Sequence, residues 1–137
     1  MTDHLEFILL NRQLEIARLQ DELEKFATCH QFPKRAWHEV QLALEEQLTN
    51  VVRYAYSDDR EHRIKVRVAF RPPELRIEVE DDGCPFNPLQ HPAPDLSLPI
   101  NQRPIGGLGI HMIRKSLDAL EYRRENDRNI LVMIKRV

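Results

Sequence analysis

From Ile64 to Val79 the chain alternates apolar and charged residues in steps of two. Ile64, Val66, Val68 and Phe70 share one face and Lys65 and Arg67 the other. After Pro72-Pro73, Leu75, Ile77 and Val79 resume the pattern against Arg76, Glu78 and Glu80. Alternation of this kind suits a strand with one buried face, so two adjacent strands are predicted, turning at the prolines. The preceding segment has a different period. Trp37, Val40, Leu44, Leu48, Val51 and Ala55 step by three and four, which predicts a long helix. Before it, residues 5–10 suit a short strand, and Leu14, Ala17, Leu19, Leu23 and Phe26 suggest a helix over roughly 11–28. Downstream, Ile110, Ile113, Leu117 and Leu120 predict another helix, and segments 120–126 and 129–136 a closing hairpin across Asn126-Asp127-Arg128. The order strand, two helices, two strands, loop, helix, two strands predicts an α+β fold, a two-layer sandwich of a mostly antiparallel sheet with helices on one face.

A chain of 137 residues suits one domain over 1–137, with 42% apolar and 31% charged residues marking it as globular. The net charge of −2 argues against unspecific binding to nucleic acid or an anionic membrane, which needs a basic face. No apolar run approaches the length of a membrane span, and the first residues lack the pattern of a secretory signal. Cys29 and Cys84 have no metal-ligand spacing and the histidines are scattered, so a reduced, cytoplasmic protein without structural metal is expected. Glycine is unevenly placed. All four, Gly83, Gly106, Gly107 and Gly109, fall in one stretch that also holds six of the nine prolines.

Three places have the residues for chemistry. Asp81 continues the phase of Leu75, Ile77 and Val79, which aims a carboxylate at the buried face. It either caps the turn at Asp82-Gly83 or accepts a hydrogen bond from a ligand, with Gly83 allowing close approach. Arg103-Pro104-Ile105-Gly106-Gly107-Leu108-Gly109 precedes the 110–120 helix, where backbone N–H groups and the helix dipole favour phosphate. This run is neither a Rossmann nor a Walker motif, and a plain hinge is the alternative. Glu46 and Asn50 lie four apart on the long helix, on the face opposite Leu44, Leu48 and Val51. Such residues are usually solvated surface. Beside a nucleotide, Asn50 would offer an oxygen to Mg²⁺ and Glu46 an acceptor for a hydroxyl proton.

The order of these features, E-x-x-x-N on a helix, a strand ending D-x-G, a loop and a GGLG turn, resembles the nucleotide site of the GHKL ATPases. Within that superfamily the chain is similar to the small serine kinases that act as bacterial anti-sigma factors, the RsbW/SpoIIAB type. The resemblance is densest at residues 45–50, 81–88 and 103–114. It implies ATP and Mg²⁺ as cofactors, Asp81 as acceptor of the adenine amine, Asn50 as Mg²⁺ ligand and Glu46 as general base. It further implies that Gly106, Gly107, Leu108 and Gly109 form the phosphate-binding turn, and that residues 87–105 form a lid in which Arg103 contacts phosphate. Pro85 stands where many relatives have glycine, so the start of the lid is expected to be stiffer.

The implied activity is phosphorylation of a serine on an anti-sigma factor antagonist (a STAS-type protein), with a sigma factor as the competing partner and the kinase as a homodimer. A nucleotide-gated protein-binding module with little or no kinase activity is the alternative. A detached histidine-kinase catalytic domain fits less well, since no phosphoacceptor helix is evident.

Overall fold

The computed structural model describes residues 3–88 and 114–137. Among the described residues, seven elements run in chain order: β1 (Asp3–Leu10), α1 (Gln13–Cys29), α2 (Lys34–Tyr54), β2 (Arg63–Arg71), β3 (Glu74–Asp81), β4 (Ala119–Glu125) and β5 (Arg128–Arg136). The strands form one sheet in the order β1-β2-β3-β5-β4, and every pairing among the described residues is antiparallel. The two helices pack on one face of it, giving the expected two layers.

The alternation in β2 and β3 becomes alternating burial. Val66, Val68 and Phe70 pair through the register with Val79, Ile77 and Leu75, and Ile64 with Leu9, to form the floor of the core. Above it lie Trp37, Val40, Leu44, Leu48 and Val51 from α2 and Ile16, Leu19, Leu23 and Phe26 from α1. Leu14, counted in the apolar pattern of α1, faces solvent, and Ile16 takes the buried position. The helices are also joined by polar bonds, Trp37 Nε1 donating to Glu24 Oε2 at 2.8 Å and Gln20 Nε2 to the Gln41 carbonyl at 3.1 Å.

Two turns follow from their residues. Asn126 and Asp127, at φ 52° and 61°, join β4 to β5 as a two-residue loop, both in the left-handed region that suits a tight hairpin and that Asn and Asp tolerate. The chain leaves α2 at Ala55, whose carbonyl accepts the Cys84 N–H at 2.8 Å and so ties the helix end to the segment after β3.

Of the helix predicted over 110–120, residues 110–113 lie outside the described residues. Residues 114–116 are helical, but Leu117 is not, and Leu120 belongs to β4 opposite Met133. Leu120 satisfies both the helical spacing before it and the alternation with Tyr122 after it. Pairing with β5 decides in favour of the strand, starting where the Asp118 N–H bonds the Ile134 carbonyl at 2.9 Å. Both cysteines are free thiols on the surface. Among the described residues, no helix is long and apolar enough to cross a membrane, and no cluster of His, Cys, Asp or Glu suits a metal ion.

Candidate functional site

The end of β3 delivers Asp81 to the inner face of the sheet, 2% exposed. Its Oδ1 accepts two hydrogen bonds, from the Gly83 N–H at 2.9 Å and from Asn129 Nδ2 at 3.0 Å. No described residue donates to Oδ2 or forms an ion pair with Asp81. Burial pushes the carboxyl above its ordinary range, and the two donors oppose that rise. Asp82 beside it raises it further, while Arg124, whose Nη1 donates to the Gly83 carbonyl at 2.9 Å, lowers it.

The turn-capping reading of Asp81 is met by the bond from the Gly83 N–H. One oxygen caps the turn at Gly83, and the other carries no donor from the described residues.

Gly83 has a reason of its own. A Cβ placed there would lie 2.5 Å from the Ala55 carbonyl oxygen and 2.5 Å from the Ala55 Cβ. The glycine lets the turn after β3 close onto the end of α2, a chain-to-chain approach. That contact brings α2 to the site. Asn50 lies about 7 Å along the helix axis from Ala55, and Glu46 one turn further back. Both are half-buried, and no hydrogen bond or ion pair from the described residues engages either side chain. Glu46 and Asn50 are thus less exposed than residues on a helix face opposite the core stripe would be by default.

Asn129 is the residue that periodicity did not single out. It sits directly across from Asp81 in the β3–β5 register and is 6% exposed. Its amide also donates to the Cys84 carbonyl at 2.8 Å, and its Oδ1 accepts from Tyr122 Oη at 2.5 Å and the Phe86 N–H at 3.3 Å. A signal for it existed. Asn129 shares the inward phase of Leu131 and Met133, and asparagine is a poor strand residue to bury without partners.

Beside this site His62 stacks on Tyr56, with ring centroids 4.0 Å apart. His62 Nε2 lies 2.7 Å from Asp58 Oδ1, and Nδ1 lies 3.4 Å from Asp82 Oδ1. Arg103, Gly106, Gly107, Leu108, Gly109 and residues 89–105 of the expected lid lie outside the described residues. Of the remainder of that lid, Pro88 is held by its carbonyl, which accepts from Arg114 Nη2 at 2.8 Å.

Residues 10–135 match the family described as histidine kinase-like ATPase domain. The chain is 25% identical over 111 residues to the serine/threonine-protein kinase BtrW of Bordetella bronchiseptica, covering 81% of this chain and 78% of that protein. It is 28% identical over 98 residues to the serine-protein kinase RsbW of Bacillus cereus, covering 69% of this chain. The match spans 61% of the length of that RsbW protein. Among solved structures, the histidine kinase AdeS of Acinetobacter baumannii aligns at a TM-score of 0.48 and 17% identity, over 72% of this chain and 46% of that one.

Proposed function

The chain belongs to the histidine kinase-like ATPase domain family, and from that premise we propose that it is an ATP-dependent serine-protein kinase of the anti-sigma type. The observation that carries the reading is Asp81: a buried carboxylate with one oxygen accepting two hydrogen bonds and the other receiving no donor from the described residues. Burying such a group is costly unless its remaining lone pairs find donors, and the exocyclic amine of adenine is a donor of the required kind. The donor set on α2 fits the rest. Asn50 offers a neutral oxygen to Mg²⁺, and Glu46, one turn away, an anionic acceptor for a serine proton. With Mg²⁺ bound, the phosphate charge is partly neutralised, which favours phosphoryl transfer.

The chain's own task is positioning. Asp81 orients the base, Asn50 would hold the metal, and Glu46 takes the hydroxyl proton as the serine oxygen attacks the γ-phosphorus and ADP leaves. Backbone amides of Gly106, Gly107, Leu108 and Gly109 bind the phosphates in this reading, residues 87–105 cover them, and Arg103 adds a cation. The single domain 1–137 then acts in the cytoplasm as a homodimer. It phosphorylates an antagonist protein of the STAS type and sequesters a sigma factor when the antagonist is not bound. The proteins named BtrW and RsbW support the activity by name.

The test is to incubate the purified chain with γ-labelled ATP and candidate antagonists from the same genome. Label is expected on a partner serine. Glu46→Gln is expected to keep ATP affinity while the transfer rate falls by roughly 10²–10⁴-fold, the worth of a general base. Full transfer by Glu46→Gln would remove Glu46 from the mechanism. ATP binding without label on any antagonist would favour a nucleotide-gated binding module.

A further inference from the structure

We infer that Asn129 is the positioning residue of the adenine pocket: it holds the Asp81 carboxylate by Oδ1 so that Oδ2 meets the base amine, and it does not touch the nucleotide itself. The inference rests on the nucleotide reading of Asp81 and adds a residue outside the three groups that sequence pattern picks out.

An asparagine side chain has two N–H donors and two acceptor lone pairs. In Asn129 all four are taken by protein: Nδ2 donates to Asp81 Oδ1 and to the Cys84 carbonyl, and Oδ1 accepts from Tyr122 Oη and from the Phe86 N–H. Nothing is left for a ligand. The same four bonds fix the orientation of the amide, since reversing it would set its NH₂ against the Phe86 N–H and its oxygen against two acceptors. Tyr122 therefore acts through Asn129, and Asn129 through Asp81. Because Asn129 also bridges the backbone at Cys84 and Phe86, one side chain sets both the direction of the carboxylate and the path of the chain leaving it.

The electrostatics agree. Donation by Asn129 favours the ionised form of Asp81 against burial, and an ionised carboxylate is the form that accepts from an amine. The other charged or titratable groups acting at Asp81 are Asp82 on its own segment, Arg124 from β4, and Tyr56 after α2. None of these donates to the carboxylate. Without Asn129, Asp81 should stay protonated to higher pH.

The experiment measures, by calorimetry on the full chain, affinity for ATP and for purine riboside triphosphate, which lacks the amine, from acidic to neutral pH. Asn129→Ala is expected to weaken ATP by about tenfold, the worth of a hydrogen bond to a charged group, and to leave the amine-free nucleotide within about twofold. The pH below which ATP affinity falls should move upward. Tyr122→Phe, which keeps the packing and removes one donor to Asn129, should show the same selective pattern to a smaller degree, and decides the matter if Asn129→Ala does not fold. Equal losses for both nucleotides, or an unmoved acidic limb, would overturn the positioning role and leave Asn129 a structural residue. Failure of the unsubstituted chain to bind either nucleotide would instead overturn the nucleotide reading on which this rests.

Discussion

At Asp81 the side chain does two jobs with two oxygens, and an isosteric change separates them. In Asp81→Asn the amide oxygen can still accept from Gly83 and Asn129, so the turn is kept, while the amide nitrogen replaces the oxygen that receives no donor. That nitrogen would face the adenine amine, donor against donor. ATP affinity is expected to drop on the order of 100-fold or more by calorimetry, with the melting temperature at neutral pH unchanged or raised, because a buried charge is removed. Unchanged ATP affinity would sink the assignment. The inward aim of Asp81 was legible in the sequence, since its parity with Leu75, Ile77 and Val79 is a local property. Its partner was not. Asn129 lies 48 residues away, and only the pairing of β3 with β5 brings the two together.

Among the elements, the joint between α2 and β3 sets how Glu46 and Asn50 stand relative to Asp81. It is built from the Cys84 N–H on the Ala55 carbonyl and from the space that Gly83 leaves. Gly83→Ala would drive a methyl against backbone, which cannot yield as a flexible side chain would. A loss of about 1–3 kcal/mol is expected in denaturant unfolding, together with weakened ATP binding. Stability equal to that of the unsubstituted chain would mean that the joint is not close-packed. The glycine's position beside Asp81 suggested ligand approach in the sequence; its contact with Ala55, 28 positions earlier in the chain, depends on tertiary packing. Strand β5 makes a similar point. Leu131 and Met133 face the helices, yet Ile130 and Val132 on the other face are buried too, between Glu80 and Glu78 of β3 and Arg123 and Glu121 of β4 in the register. Its run of apolar residues reads as a strand buried on both sides.

For the whole molecule, pH is the variable that reports on how distant segments meet. His62 at the start of the β2–β3 hairpin bridges Asp58 and Asp82, which come from either side of it in sequence. The hydrogen bond to Asp58 raises the His62 pKa and lowers that of Asp58. A raised histidine stabilises the fold fully below its unfolded pKa, near 6.5, and loses that contribution as pH rises through its folded value. A depressed carboxylate stabilises above its unfolded pKa, near 3.8, and loses that contribution as pH falls through its folded value. The pair therefore contributes most between these two ranges. The melting temperature of His62→Gln should fall furthest below that of the unsubstituted chain at about pH 5 and approach it above about pH 8. A difference that does not change with pH would show that the ion pairs add nothing and that stacking on Tyr56 is what His62 supplies.

Sequence by itself determined the five strands and the first two helices, their order and the layer arrangement, because apolar periodicity is a local consequence of which face is buried. It also singled out Asp81, Glu46 and Asn50, whose parity or helical spacing is local as well. Tertiary structure alone decided that Leu120 pairs with Met133 instead of extending the helix before it, that Gly83 packs against Ala55, and that Asn129 completes the Asp81 cluster. Each of these rests on a partner that the fold brings in from a distance. Strand register and helix docking are properties of two segments at once, and no pattern within either one contains them.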